Sequence, residues 1–420
     1  MSALGELLSP AGLMPVKAGG VNAPQAKEAA GAKLEPGAAI AVPLVTGDAD
    51  YSAVGTVTDV LDGRVLALGH SFYAEGEAEF PMGPAYVHTV VPTLMRSFKL
   101  TSPLNITGTL NRDEQTGVAG RIGPKPQMIP MTVNVEWKND RRKQTYRYKL
   151  CRHRYLTPIL ARYLIYDAAW GWRELPTYHT VRYSMAIDFG KLGKYSASNV
   201  SSDSDVYWVL SDLGRPIAAL LNNPYGKPPK ITKIDVRMTI DSGDITARLL
   251  EVKLDGLTYR PGETLTGEVT LRLFRKPRTT LPVRFKLPED LPEGSYTLQV
   301  CNWSQALRRL QSEMPHRFDP RTPEQLLAAV RRTVQMRGNV LYLRLAVKKG
   351  SGLAVDKREL PDLPDSRARI IAQADNLDTR NFSRAIVQKM PTDYVLSGSA
   401  GAAFKVVKRP KETLIRKQGK

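Results

Sequence analysis

The sequence is poor in cysteine: 420 residues contain only Cys151 and Cys301. The two stand 150 residues apart, so a disulfide framework is not what builds this fold. The same scarcity limits metal chemistry. CRHR at 151–154 offers one Cys and one His, short of the four ligands of a structural zinc site. No metal and no cofactor is expected. No apolar run reaches the about 18 residues that a membrane-spanning helix needs. The longest uncharged stretch, 80–95, is broken by Pro81, Pro84 and Pro92. Phosphate loop, dinucleotide fingerprint and metalloprotease helix are all missing. SGSAG at 397–401 fails as a nucleophile elbow, because Ser397 stands where that motif needs glycine. The opening MSALGELLSPAGLMPVKAGG carries Glu6 and no basic region, and so does not read as a secretory signal.

What is abundant points to a turn-rich globular chain. The 32 Gly and 30 Pro predict many short strands and few helices, and 42% hydrophobic residues suffice for sizeable cores. The formal net charge is +19, which raises nucleic acid, an anionic membrane surface or an anionic envelope polymer as surroundings without choosing among them. Residues 138–162 hold nine Lys/Arg and the tail 405–420 holds seven. The first cluster interleaves aromatics with bases, as a nucleic-acid surface does, but it reads equally as a strand pair with its bases turned to water. Nucleic acid is the weaker reading.

Along the chain, Leu4, Leu7 and Leu8 predict a short helix over 1–12, followed by an Ala/Gly/Pro-rich stretch to residue 39. Strand patterns then occupy 38–45, 53–60 and 64–69. Asp62-Gly63 between the last two is a hairpin signal, since both residues tolerate the positive φ of a type I′ turn. Further strands are expected at 86–92, 105–111, 127–137 and 233–240, and a helix at 157–170. From residue 245, apolar–polar alternation across Pro-Gly turns is the pattern of an immunoglobulin-type β-sandwich. Helices are predicted from Ser304 and from Thr322, where Pro323 and Gln325 complete a capping box.

One stretch carries chemistry. RVLALGHSF (64–72) ends a buried strand in Gly69, His70 and Ser71. A histidine just past a strand–glycine boundary can be held rigidly at a sheet edge, as a general base requires; a turn histidine of no function has the same look. Its neighbours decide the expectation. Gly55-Thr56-Val57-Thr58 followed by Ala67-Leu68-Gly69-His70 resembles the SpoIVB-type serine peptidase family of bacteria, in which a G-T-(V/L)-T strand precedes the (A/F)-x-G-H motif. The long envelope-associated members are the nearer likeness, through Phe72, Phe80-Pro81-Met82, His88-Thr89-Val90-Val91-Pro92-Thr93-Leu94 and Ala119-Gly120-Arg121-Ile122-Gly123-Pro124. The likeness covers roughly residues 35–135.

That resemblance implies a general base at His70 and a location outside the cytoplasm, in the periplasm or envelope. It also implies a nucleophile in a G-M-S-G-S-P motif, and no such motif occurs in this sequence. The nucleophile serine is therefore not identified: Ser71 adjoins His70, and adjacent residues on an extended chain point to opposite faces, while Ser97 and Ser102 lack elbow glycines. Asp113, in the turn NRDE, is the candidate to orient the imidazole, with Asp59 and Asp62 nearer in sequence but on the hairpin; each also reads as a plain turn or surface carboxylate. Two explanations stay open: a segment carrying the serine that lies upstream of MSALGELL in longer chains, or a scaffold that has lost catalysis.

The sequence thus predicts a mainly β protein in three parts: a trypsin-like peptidase β-barrel half (1–130), a β-rich middle region (131–244), and an immunoglobulin-like β-sandwich with a few helices and a basic tail (245–420). Its expected role is that of a serine-peptidase-like envelope protein, inactive or truncated as it stands, acting on a protein or peptide. The alternative is a non-enzymatic scaffold.

Overall fold

The computed structural model of the chain describes residues 29, 31–92, 94, 97–171, 174–203, 207–374 and 376–408, the side chains of 203, 207 and 208 excepted. The helix expected over 1–12 lies outside the described residues, as does the end of the basic tail. The fold is mainly β, with few helices. The chain divides into two compact units: residues 1–174, 184–196 and 207–239 form one, and residues 175–183, 197–206 and 240–420 the other. The middle stretch 131–244, expected as a region of its own, is shared between them.

The first unit is built on a closed six-stranded barrel. Its strands are β1 (Ala39–Gly47), β2 (Tyr51–Leu61), β3 (Arg64–Ala67), β4 (Gly76–Val91), β6 (Gly108–Glu114) and β7 (Gly117–Ile122), with β5 (Phe98–Pro103) paired outside the ring. All neighbours are antiparallel, and closure comes from β4, which pairs with β6 on one side and meets β1 through Gly83 and Pro84 on the other. Asp62 and Gly63, with φ of 47° and 74°, make the left-handed turn that the DG pair predicts. Val57, Val65, Phe80, Met82, Leu110 and Val118 are all buried. Each contributes about 1.5–3 kcal/mol by leaving water, and the alternating burial of β3 and β8 shows strands with one face inward.

Beyond the barrel, β8 (Ile129–Trp137) and β9 (Arg142–Leu150) pair over their full length. On β9, Tyr148 and Leu150 are buried while Arg147 and Lys149 are exposed, so this part of the basic cluster is an outward strand face. Helix α1 (Leu156–Tyr166) runs into a π-helical turn, Asp167–Gly171. The sheet continues through β10 (His179–Asp188), β11 (Lys194–Asp203) and β12 (Lys233–Ser242) in the order β11-β10-β12-β8-β9-β1. A second helix, α2 (Tyr207–Leu221), packs on α1 despite an internal Pro216.

The second unit is a two-sheet sandwich. One sheet has the order β16-β15-β13-β21, from β13 (Thr246–Leu254), β15 (Thr264–Leu273), β16 (Arg278–Lys286) and β21 (Val395–Ser397). The other runs β14-β22-β17-β18-β19, from β14 (Thr258–Tyr259), β17 (Gly294–Cys301), β18 (Val340–Val355), β19 (Arg358–Pro361) and β22 (Ser399–Val406), with β20 (Thr379–Pro391) also on β18. Leu249, Leu265, Val269 and Phe285 of the first sheet share one core with Leu298, Leu341, Leu343 and Phe404 of the second. SGSAG is the crossing point: β21 and β22 belong to different sheets, and Gly398, at φ 86°, lies between them.

Helices α3 (Trp303–Glu313), α4 (Pro323–Val334) and α5 (Asp365–Ala372) decorate this unit. The cap of α3 is Asn302, whose side chain accepts from the Gln305 amide, rather than Ser304. Thr322 caps α4 as its sequence predicts, but Gln325 accepts from the Arg321 amide and not from that of Thr322.

Candidate functional site around His70

His70 sits on the loop that joins β3 to β4. The loop begins with two left-handed residues, Leu68 at φ 73° and Gly69 at φ 70°. For a leucine this conformation costs about 1–2 kcal/mol. It is held by a hydrogen bond from the Leu68 amide to the Thr56 carbonyl at 3.0 Å and by a space that Gly55 leaves open. A Cβ on Gly55 would stand 1.9 Å from Leu68 Cδ2. The G-T-V-T and A-L-G-H segments are therefore two halves of one device: the glycine of the first admits the leucine of the second, and the turn presents His70.

The His70 side chain is exposed, and its Nδ1 donates to the Ser71 carbonyl at 2.8 Å. That bond fixes the tautomer with the proton on Nδ1, which leaves the Nε2 lone pair as the basic atom. A backbone carbonyl thus takes the orienting role that the sequence assigned to Asp113.

Asp113 is elsewhere engaged. It is 2% exposed, and its carboxylate accepts from the amides of Phe72 at 2.7 Å, Tyr73 at 2.6 Å and Ala74 at 3.1 Å. A buried carboxylate is tolerated only when so satisfied. Among the described residues it makes no hydrogen bond to His70. It is a positioning residue, holding the backbone on which His70 is mounted, not the third member of a triad.

The far end of the loop is tied down a second time. Glu75 Oε2 lies 3.3 Å from His153 Nε2, and Glu75 Oε1 2.9 Å from an Arg154 guanidinium nitrogen. The His153 ring stacks on Phe80, with centroids 5.2 Å apart, and lies 4.7 Å from Tyr73. Its Nδ1 accepts from the amides of Tyr155 and Leu156, at the start of α1. Both ring nitrogens are spent, so His153 is a clamp between helix and loop. Burial holds its pKa below the ordinary histidine value, against the opposing pull of Glu75. Tyr73, next to it, is pushed up to about 12, by burial first and then by its neighbours Cys151, Glu75 and Asp113.

Nucleophiles near this loop are few. Burial pushes the Cys151 thiol up to about 12 and also raises Cys301, which keeps both as unreactive thiols. No described serine hydroxyl is hydrogen-bonded to His70. Another histidine does meet a serine: His88 Nε2 stands 2.8 Å from Ser102 Oγ, across the β4–β5 pair. Ser102 is 5% exposed and lies within a strand, not on an elbow. Neither this pair nor the Glu75–His153 contact could be read from spacing, since the partners lie on different strands or loops.

No group of three or more His, Cys, Asp or Glu among the described residues could hold a metal ion, and no described helix is long and apolar enough to cross a membrane. Comparison with known protein families, with curated proteins and with solved structures finds no match, so the reading of the site rests on its own geometry.

Proposed function

We propose that the barrel is a serine-peptidase-like domain of the bacterial envelope that engages a protein or peptide, with His70 at the general-base position. The observation that carries this reading is the His70 mount. Nδ1–H is held by the Ser71 carbonyl and the following backbone by Asp113, so Nε2 is left as a fixed base. General-base catalysis of acyl transfer needs an alkoxide to generate, and no described hydroxyl is paired with His70. The chain by itself is then a poor peptidase, because the loss of one triad member leaves only a small residual rate.

A serine-directed fluorophosphonate probe tests this. The expected result is no stoichiometric labelling, alongside peptide-induced shifts of the His70 imidazole resonances. Stoichiometric, His70-dependent labelling would overturn the claim of a poor peptidase. Labelling of Ser102 that depends on His88 would move the site to the β4–β5 pair.

A second reading, a non-enzymatic scaffold for an anionic envelope polymer, is favoured by the exposed Arg142, Lys143, Arg147 and Lys149 of β9. Polymer binding that weakens steeply with salt and survives His70→Ala is its signature.

A further inference from the structure

The second unit contains a cleft of about 450 Å³ between the 3-10 turn Pro315–Arg317, α4 and the β18–β19 turn. Three cations line it: Arg317, Arg332 and Lys357. Arg317 is compensated, because one oxygen of Glu359 takes both its Nε and an Nη at 2.6 Å and also takes His316 Nε2 at 2.8 Å. That coordination holds the Glu359 carboxyl down at about 2.

The other two cations lack such a partner. Among the described residues Arg332 makes no ion pair, and its Nη1 donates to the Arg317 carbonyl at 3.2 Å. Burial first and then the charge of Arg317 disfavour its protonated form, against a smaller opposing pull from Glu359. Lys357 donates to the Asp319 carbonyl and the Gln325 side-chain oxygen, neither of them charged. Asp319 also lines the cleft, but it is exposed and makes no ion pair among the described residues.

Two further features mark the place. His316 is 5% exposed, and its Nδ1 has no hydrogen-bond partner. Buried polar atoms without a partner are uncommon, and with Nε2–H given to Glu359 this Nδ1 is an acceptor that asks for a donor, such as a hydroxyl of a ligand. The β18–β19 turn is made by Asp356 and Lys357 at φ 44° and 71°, left-handed positions that a glycine would occupy at less cost. A lysine kept there places its ammonium over the cleft.

We propose that this cleft binds a phosphate monoester carried on a small molecule. The lining holds three cations against the carboxylates of Glu359 and Asp319, and the excess falls on Arg332 and Lys357, which have no carboxylate partner among the described residues. A guanidinium presents a planar fork to phosphate oxygens, and an ammonium adds a point charge. The cleft is larger than a phosphate group alone, so part of it is left for the organic moiety.

The test is calorimetric titration of the full chain at low ionic strength with inorganic phosphate, glucose 6-phosphate, acetate and sodium chloride. Glucose 6-phosphate should bind more tightly than phosphate, phosphate more tightly than acetate, and chloride not measurably. Arg332→Gln and Lys357→Gln should each weaken phosphate and glucose 6-phosphate binding at least tenfold, while Arg358→Gln, next to Lys357 in the chain but outside the cleft lining, should not. Folding is monitored separately: Arg332→Gln removes a cation that burial and Arg317 disfavour, so its melting temperature without ligand should equal or exceed that of the parent, and phosphate should no longer raise it. Binding that is absent for all anions, or that is unchanged in both cleft variants, overturns the site. Equal affinity for phosphate and glucose 6-phosphate overturns the small-molecule part and reassigns the cleft to free phosphate.

Discussion

The carboxylate of Asp113 lies 2.6 Å from the amide of Tyr73, forty residues earlier in the chain, and the same group takes the amides on either side. One side chain therefore replaces the ladder that a strand would have supplied for three consecutive donors. Asp113→Ala leaves those donors unpaired inside the protein. The expected loss is about 2–4 kcal/mol in urea unfolding, with faster hydrogen exchange confined first to the amides of 72–74.

Gly55 and Leu68 are coupled in the same way across the β2–β3 turn. Gly55→Ala forces the leucine out of its place and should cost about 1–2 kcal/mol. Leu68→Ala in that background removes the clash, so the double variant should regain most of the loss, a positive coupling in a double-mutant cycle. Additive losses would show that the two residues do not form one device.

The His153 clamp makes stability depend on acid. Its pKa in the folded protein lies below the ordinary value of 6.5, so between the two values the unfolded chain binds more protons. Its contribution is complete above pH 6.5 and is lost as the pH falls below it. Urea midpoints measured from pH 7.5 to 5 should drop in the parent and drop less in His153→Gln. Glu75→Gln removes the neighbour that favours the charged ring, and should steepen the drop.

Cys151, buried with its thiol raised to about 12, should not react with a thiol reagent at pH 8 in the folded protein. Stoichiometric modification is expected only after unfolding, and its rate should track the opening of the native state.

Much of the barrel was legible from local pattern. Alternation located β1, β2 and β3 to within a few residues, and Asp62-Gly63 supplied the turn. Prolines misled where closure overrode them: only the last part of β4 was expected, yet it begins at Gly76 and passes through Pro81 and Pro84, where it changes partner from β6 to β1. Helix α2 escaped notice because Pro216 interrupts its pattern; packing against α1 holds it nonetheless. Around the candidate site, the glycine turn before His70 was readable, because it belongs to one short segment. The duty of Asp113 and the pairing of Glu75 with His153 were not, since they depend on which loop a distant strand end meets. Composition carries no such information.

Gly398 has a mechanical consequence. The last strand leaves one sheet and joins the other at that single residue, so β21 is fastened to β13 by a short parallel ladder and β22 to β17 by a longer antiparallel one. Tension applied beyond Val406 meets the β22 ladders first, along their length, and reaches the β21–β13 ladder only through Gly398. Gly398 thus joins two faces in series, and the second is reached only when the first has given way.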